Sequence, residues 1–332
     1  FVIGQGIVLG VDPYLSQAYG SGDLAGCRRM FWQAIWLGVT CAVGVMILVL
    51  SAPGLFVIFD IPPDVSAEAT TYIEIRSFSA LPVLLFVACQ CYLQVHGRTG
   101  VLVGAVVGAN LFNFAATVLM VHGGGGLPDS FGPLCEIPAY GVAGSAMATV
   151  GSSVVMFLIV AVAAARAKVP QWRPAWRLFS WEKSRGALKV GVPVGLQMLA
   201  EVGVFALAGL LAGNIGAVPL AAHQVALTLT SVTFTICIGL GHAGSVRVGY
   251  NIGLSDTPRA RVAGAVSFGS ALAIMSIPLV LFLAVPEGVT RLVTDQPGVV
   301  TATAALLGVA AVFQLTDGVQ AVGAGVLRGA GD

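Results

Sequence analysis

Residues 17–23 read Gln17-Ala18-Tyr19-Gly20-Ser21-Gly22-Asp23, and residues 250–256 read Tyr250-Asn251-Ile252-Gly253-Leu254-Ser255-Asp256. Gly20 falls on Gly253 and Asp23 on Asp256, an offset of 233 positions. The same offset sets Pro53 on Pro286 and, after a two-residue slip, Asp60-Ile61-Pro62 on Asp295-Gln296-Pro297. It also brings His96-Gly97-Arg98 near Arg328-Gly329-Ala330. Punctuation that returns at a fixed long period marks a duplicated bundle. In duplicated membrane proteins the binding site lies between the halves or at matching depths within them.

Composition names the solvent. Hydrophobic residues make up 57% of the 332 residues and charged residues 9%, with mean hydropathy +0.92. A soluble domain carries roughly 25% charged residues, so this chain cannot cover a water-facing surface. Its apolar runs approach the roughly 20 residues needed to cross a bilayer as helix. Nine are read: Phe1–Leu15, Gln33–Leu50, Tyr72–Val95, Val101–Val121, Tyr140–Ala165, Leu188–Ala212, Ala217–Val246, Val262–Val285 and Val299–Val326. The fold expected is an all-α integral membrane protein. The first run is too short to span and opens without Met, so helices are expected before Phe1 and after Asp332.

Basic residues favour the cytoplasmic side of short loops. Arg28, Arg29, Arg98, Arg166, Lys168, Arg173, Arg177, Lys183, Arg185, Lys189, Arg247, Arg259, Arg261 and Arg328 all follow odd-numbered spans, whereas Asp60, Asp64, Glu68, Asp129, Glu136, Glu287 and Asp295 lie in the opposite loops, with Arg291 the one base among them. One miscounted helix would scramble that separation. The connector Arg166–Ser184 is the longest basic loop and carries Pro170, Pro174, Trp172, Trp176 and Trp181. It divides the chain into an N-terminal lobe over 1–168, a cytoplasmic linker over 169–187 and a C-terminal lobe over 188–332.

A net charge of +1 gives no footing for nucleic acid. Cys41, Cys89, Cys91 and Cys237 sit inside apolar spans and read as small core residues rather than metal ligands. No Gly-Lys-Ser/Thr phosphate loop, HExxH or GxSxG occurs. Any solute movement must then be driven by an ion gradient.

Charges inside the spans carry the functional signal, because one at mid-membrane costs roughly 2.5 to 3.5 kcal/mol on insertion scales. Glu201 follows Pro193 and Gln197 at successive spacings of four, making a polar stripe on an apolar helix. Gln314, Asp317 and Gln320 stand three apart. Glu201 and Asp317 are the candidate cation-coupling carboxylates, able to hold Na⁺ or share a proton. Burial favours the neutral form of a carboxylate and a bound cation the ionised form, so such a pair can exchange H⁺, Na⁺ and a cationic substrate. Asp12, just before Pro13, reads equally as a cavity residue or a capped turn. Glu74 and Arg76 read as interfacial. Asn110 and Asn113 on one span and Gln224 on another form further polar stripes; with Gln197, Gln314 and Asp12 they make up the candidate substrate cavity. His223 and His242 read as packing residues, and His242 has no evident role.

Gly10-Val11-Asp12-Pro13-Tyr14-Leu15-Ser16-Gln17-Ala18-Tyr19-Gly20-Ser21-Gly22, Gly191-Val192-Pro193 followed by Glu201, Ala221-Ala222-His223-Gln224, Ser245-Val246-Arg247-Val248-Gly249 and Leu327-Arg328-Gly329, in that order, resemble the signatures of the multidrug and toxic compound extrusion (MATE) family. The likeness is to its bacterial norfloxacin-efflux branch. The resemblance implies a twelve-helix transporter of two six-helix lobes, of which this chain would hold helices two to ten. It further implies export of cationic, amphipathic drugs in exchange for Na⁺ or H⁺ by alternating access, with Glu201 and Asp317 coupling the cation and Gln224 at a commonly polar position. Phe313, one turn before Asp317, departs from the pattern by offering no oxygen. The expected setting is the cytoplasmic membrane, with no cofactor beyond the coupling ion and no obligatory protein partner. A lipid-linked-sugar flippase would call for cavity Arg or Lys, which the spans almost lack, and a membrane-embedded enzyme would need a reactive constellation that is missing.

Overall fold

Hydrocarbon offers no partner to a backbone N–H or C=O, so a run that crosses it must close its own hydrogen-bond ladder. The computed structural model describes residues 1–58, 62–125, 137–167 and 180–332, and within them every regular element is a helix. In chain order these are α1 (Val2–Leu9), α2 (Asp12–Gly20), α3 (Leu24–Ser51), α4 (Pro53–Ile58), α5 (Pro63–Ser77), α6 (Ala80–Val95) and α7 (Thr99–His122). They continue with α8 (Gly141–Ala165), α9 (Trp181–Ile215), α10 (Ala217–Gly253), α11 (Thr257–Ala284), α12 (Pro286–Thr290) and α13 (Pro297–Ala330). Residues 60 and 61 of the repeat, the loop acids Asp129 and Glu136, and Lys168, Pro170, Trp172, Arg173, Pro174 and Arg177 of the basic connector lie outside the described residues.

Among the described residues seven helices are long and apolar enough to cross a membrane: α3, α7, α8, α9, α10, α11 and α13. The run read as one span over Tyr72–Val95 is instead two helices, α5 and α6, bent by 40°. At the break the Ser77 hydroxyl donates to the Glu74 carbonyl at 2.7 Å and the Ser79 hydroxyl to the Arg76 carbonyl at 2.7 Å. Such side-chain bonds compete with the helical ladder. The first run is likewise divided, at Gly10-Val11, into α1 and α2. Pro13 falls in the first turn of α2, where its missing N–H has no partner to lose.

The described residues form two compact units. One comprises Phe1–Val11 with Leu24–Gly195, the other Asp12–Asp23 with Leu196–Asp332. In the first, α3, α6 and α8 bury Phe31, Leu84, Leu93 and Tyr92, with the Phe31 and Tyr92 rings 4.6 Å apart. There α1 crosses the start of α9 on bare backbone: a Cβ at Gly6 would fall on Gly195, one at Gly10 on Ala187 and Gly191, and one at Gly191 on Ile7. Small residues of this kind let membrane helices gain dispersion contacts where no hydrophobic drive exists.

In the second unit α10, α11 and α13 enclose a core of Cys237, Ala271, Met275 and Val322. Gly241, Gly325 and Gly329 bring α10 and α13 into backbone contact. α2 lies on α10 so that a Cβ at Gly20 would meet the Tyr250 carbonyl and one at Gly253 the Gln17 carbonyl. Gln17 and Tyr250 are themselves 233 apart. The sequence repeat is thus a physical crossing, in which equivalent positions of the two copies face one another reciprocally.

Candidate functional site

The two carboxylates singled out from sequence stand on α9 and α13, each one turn from an aromatic ring through which these helices meet. Glu201 is half-buried on α9, and Asp317, 9% exposed, sits on α13; the charge of Glu201 bears on Asp317. One turn from each stands an aromatic ring. Phe205 and Phe313 meet edge to face, with centroids 6.2 Å apart and planes at 83°. Phe313, the residue that supplies no oxygen, therefore helps join the two helices at the level of the acids. Beneath Asp317, Gly318 leaves room for Met275 and Cys237, and a Cβ there would lie 2.6 Å from the Met275 side chain.

Gln314 shares the buried face of α13. It is 2% exposed, and neither its amide oxygen nor its amide nitrogen has a hydrogen-bond partner. Gln320 is exposed, since a spacing of three residues rotates 60° backward per step and carries it off this face. Two carboxylates and an amide oxygen are hard donors of the kind that suit Na⁺. Among the described residues no three His, Cys, Asp or Glu side chains cluster.

Gln197 and Gln224 are exposed on the isolated chain. Gln224 and His223 face Gly209 of α9, whereas Cys237, thirteen residues further along α10, faces Gly318. At 1.5 Å per residue Gln224 is about 20 Å along the helix from the level of Asp317. Asn110 and Asn113 belong to α7 in the first unit; Asn110 is exposed and donates to the Val106 carbonyl at 2.8 Å.

Asp12 lies in a closed polar cluster of the second unit and is 0% exposed. The Ser245 hydroxyl donates to its Oδ2 at 2.6 Å, and Arg328 Nε stands 3.7 Å from the same oxygen. Arg328 Nη2 lies 3.3 Å from His242 Nδ1. A guanidinium only donates, so Nδ1 must accept, which makes His242 neutral with its proton on Nε2. Sequence reading placed Arg328 in a cytoplasmic loop. Instead α13 runs on to Ala330, with Arg328 turned inward and 7% exposed. It also missed Ser245 as the partner of Asp12. The available signal was the repeat itself, since the two are 233 residues apart.

Fold and site together define a multi-pass helical membrane protein with the architecture of MATE transporters. Over the whole chain it superposes on the eukaryotic MATE transporter AtDTX14 with TM-score 0.83 at 17% identity, covering 71% of that chain. A transporter of the MOP superfamily from Pyrococcus furiosus gives TM-score 0.84 at 17% identity, over 99% of this chain and 72% of the other. The MatE family model matches residues 1–119 and 193–332, and the chain belongs to that family. The probable multidrug resistance protein NorM of Agrobacterium fabrum is 33% identical over all of this chain and 71% of its own length. The multidrug resistance protein NorM of Burkholderia vietnamiensis is 32% identical over 99% of this chain and 70% of its own.

Proposed function

We propose that this protein exports cationic, amphipathic compounds across the cytoplasmic membrane in antiport with Na⁺ or H⁺, and that Glu201 and Asp317 bind the coupling ion. The single observation that carries the coupling assignment is that Phe205 and Phe313, one turn from Glu201 and from Asp317, meet edge to face between α9 and α13. Relatives bearing the name multidrug resistance protein, aligned along the whole chain, support drugs as the substrate class.

The mechanism follows from competition for the same negative charge. A proton or Na⁺ on the pair neutralises it, and a cationic drug gains from it only when the pair is ionised. Binding of one therefore disfavours the other, and a gradient of the ion drives release of the drug. Gln314 adds an amide to the buried side of this site. Gln197 and Gln224 add hydrogen-bonding groups on the apolar helices of the same unit, which suits a site that tolerates many shapes.

The test is ethidium efflux by the full-length protein in everted vesicles, under an imposed Na⁺ gradient or an imposed pH gradient. Efflux driven by one gradient and lost in both Glu201→Gln and Asp317→Asn is the expected result, and it names the ion. Efflux that ignores either gradient, or survives both substitutions, removes these acids from the coupling step.

A further inference from the structure

The cluster around Asp12 is not used by the cation chemistry above. It joins three helices: α2 through Asp12, α10 through His242 and Ser245, and α13 through Arg328. It is also poorly satisfied for a buried ion pair. Asp12 Oδ1 and Arg328 Nε have no hydrogen-bond partner, and the carboxylate and guanidinium meet at 3.7 Å rather than at hydrogen-bond distance. A half-satisfied buried network contributes less to stability than apolar packing of the same volume. Permanent adhesion of α2 is therefore a poor explanation for it.

What surrounds the cluster suits a contact that is made and broken. α2 is nine residues long, separated from α1 by Gly10-Val11 and from α3 by Ser21–Asp23, so it can shift without bending a long helix. Its crossing with α10 rests on Gly20, Gly249, Gly253 and Ser16, small residues whose contact needs no large side chain to repack. A second polar tether reaches α13, where the Gln17 amide donates to the carbonyls of Gly329 at 3.3 Å and Ala330 at 3.4 Å. Asp12 and Ser245 hold equivalent places in the two copies of the repeat, so their bond ties one copy to the other where they cross.

We propose that Asp12, Ser245 and Arg328 form a latch that fastens α2 to α10 and α13 in the conformation described here and opens when α2 moves away. His242 is a positioning residue, its Nδ1 holding the guanidinium towards Asp12. The proposal rests on the transport reading only for the purpose of the opening.

The experiment reads the latch without substrate or gradient. In full-length protein whose native cysteines are replaced, Ser16→Cys places a thiol at a fully buried position of α2. Everted vesicles are then treated with a membrane-impermeant maleimide. Slow labelling is expected with the latch intact, about tenfold faster labelling with Asp12→Asn or Arg328→Gln, as the open population rises by that factor, and no further gain when the two are combined. Ser245→Ala, which removes only a hydroxyl, keeps the test open should the charge variants fail to fold, and is expected to accelerate labelling about threefold on the same footing. Labelling unchanged in every folded variant, or a loss of folded protein with the survivors still protected, overturns the latch. Faster labelling in a protein that shows no drug efflux overturns the functional reading and leaves the latch standing.

Discussion

At the scale of single residues, the chain keeps polar groups where apolar ones would be cheaper, and Gln314 is the clearest instance. A buried amide with neither atom bonded carries a desolvation cost of about 1–3 kcal/mol. Methionine has nearly the same length and volume and no such groups. Gln314→Met is therefore expected to stabilise the protein by about 1 kcal/mol, seen as a higher midpoint in thermal unfolding in detergent. The same substitution should slow ion-driven efflux, because it strips an oxygen donor one turn from Asp317. Higher stability with unchanged efflux would reduce Gln314 to a packing residue. Asp12, Glu201 and Asp317 were legible in sequence as charges among apolar neighbours. Their surroundings were not: what Asp12 bonds to lies 233 residues away and, for Arg328, at the far end of the chain, and spacing within one helix cannot report on another.

Among the elements, helix existence was legible and helix continuity was not. Length and hydropathy decide whether a segment can span, and α7, α8, α11 and α13 follow the runs read for them. The bend between α5 and α6 falls inside a run that passes as one span by length and hydropathy, and neither of those reports where a helix breaks. Glycine spacing misleads in the same way. Gly100, Gly104 and Gly108 form a GxxxG series on α7, yet a Cβ at any of them meets open space, whereas Gly191 faces the backbone of Ile7. Gly191→Ala is accordingly expected to force α1 from α9 at a cost of about 1–3 kcal/mol. Gly104→Ala should be neutral or stabilising by up to about 1 kcal/mol, since alanine is the better helix former. Paired thermal unfolding curves decide this, and equal effects at both positions would show that the close crossing of α1 and α9 is not formed.

For the molecule as a whole, the repeat reaches below the level of sequence identity into backbone conformation. Gly22, in the turn between α2 and α3, has φ +78°, and Ser255, 233 positions on in the turn between α10 and α11, has φ +60°. Both turns then lead to an aspartate, and Asp256 caps α11 by accepting from the Arg259 backbone N–H at 3.0 Å. The two copies therefore share a left-handed turn position although only one of them has the glycine that makes such a conformation easy. A serine held there carries a steric cost of roughly 1–2 kcal/mol that glycine avoids, partly offset by the greater chain entropy glycine loses on folding. Ser255→Gly should on balance stabilise the protein by about 0.5–1 kcal/mol, and the reciprocal Gly22→Ser should destabilise it by a similar amount. Placing both in one chain should return the stability close to its starting value if the two turns act independently, and a departure from additivity would measure their coupling. Thermal unfolding of the four variants in one detergent measures all three terms. If Ser255→Gly destabilises instead, the serine side chain contributes something at this turn beyond its backbone conformation, and the equivalence of the two copies ends at the helices.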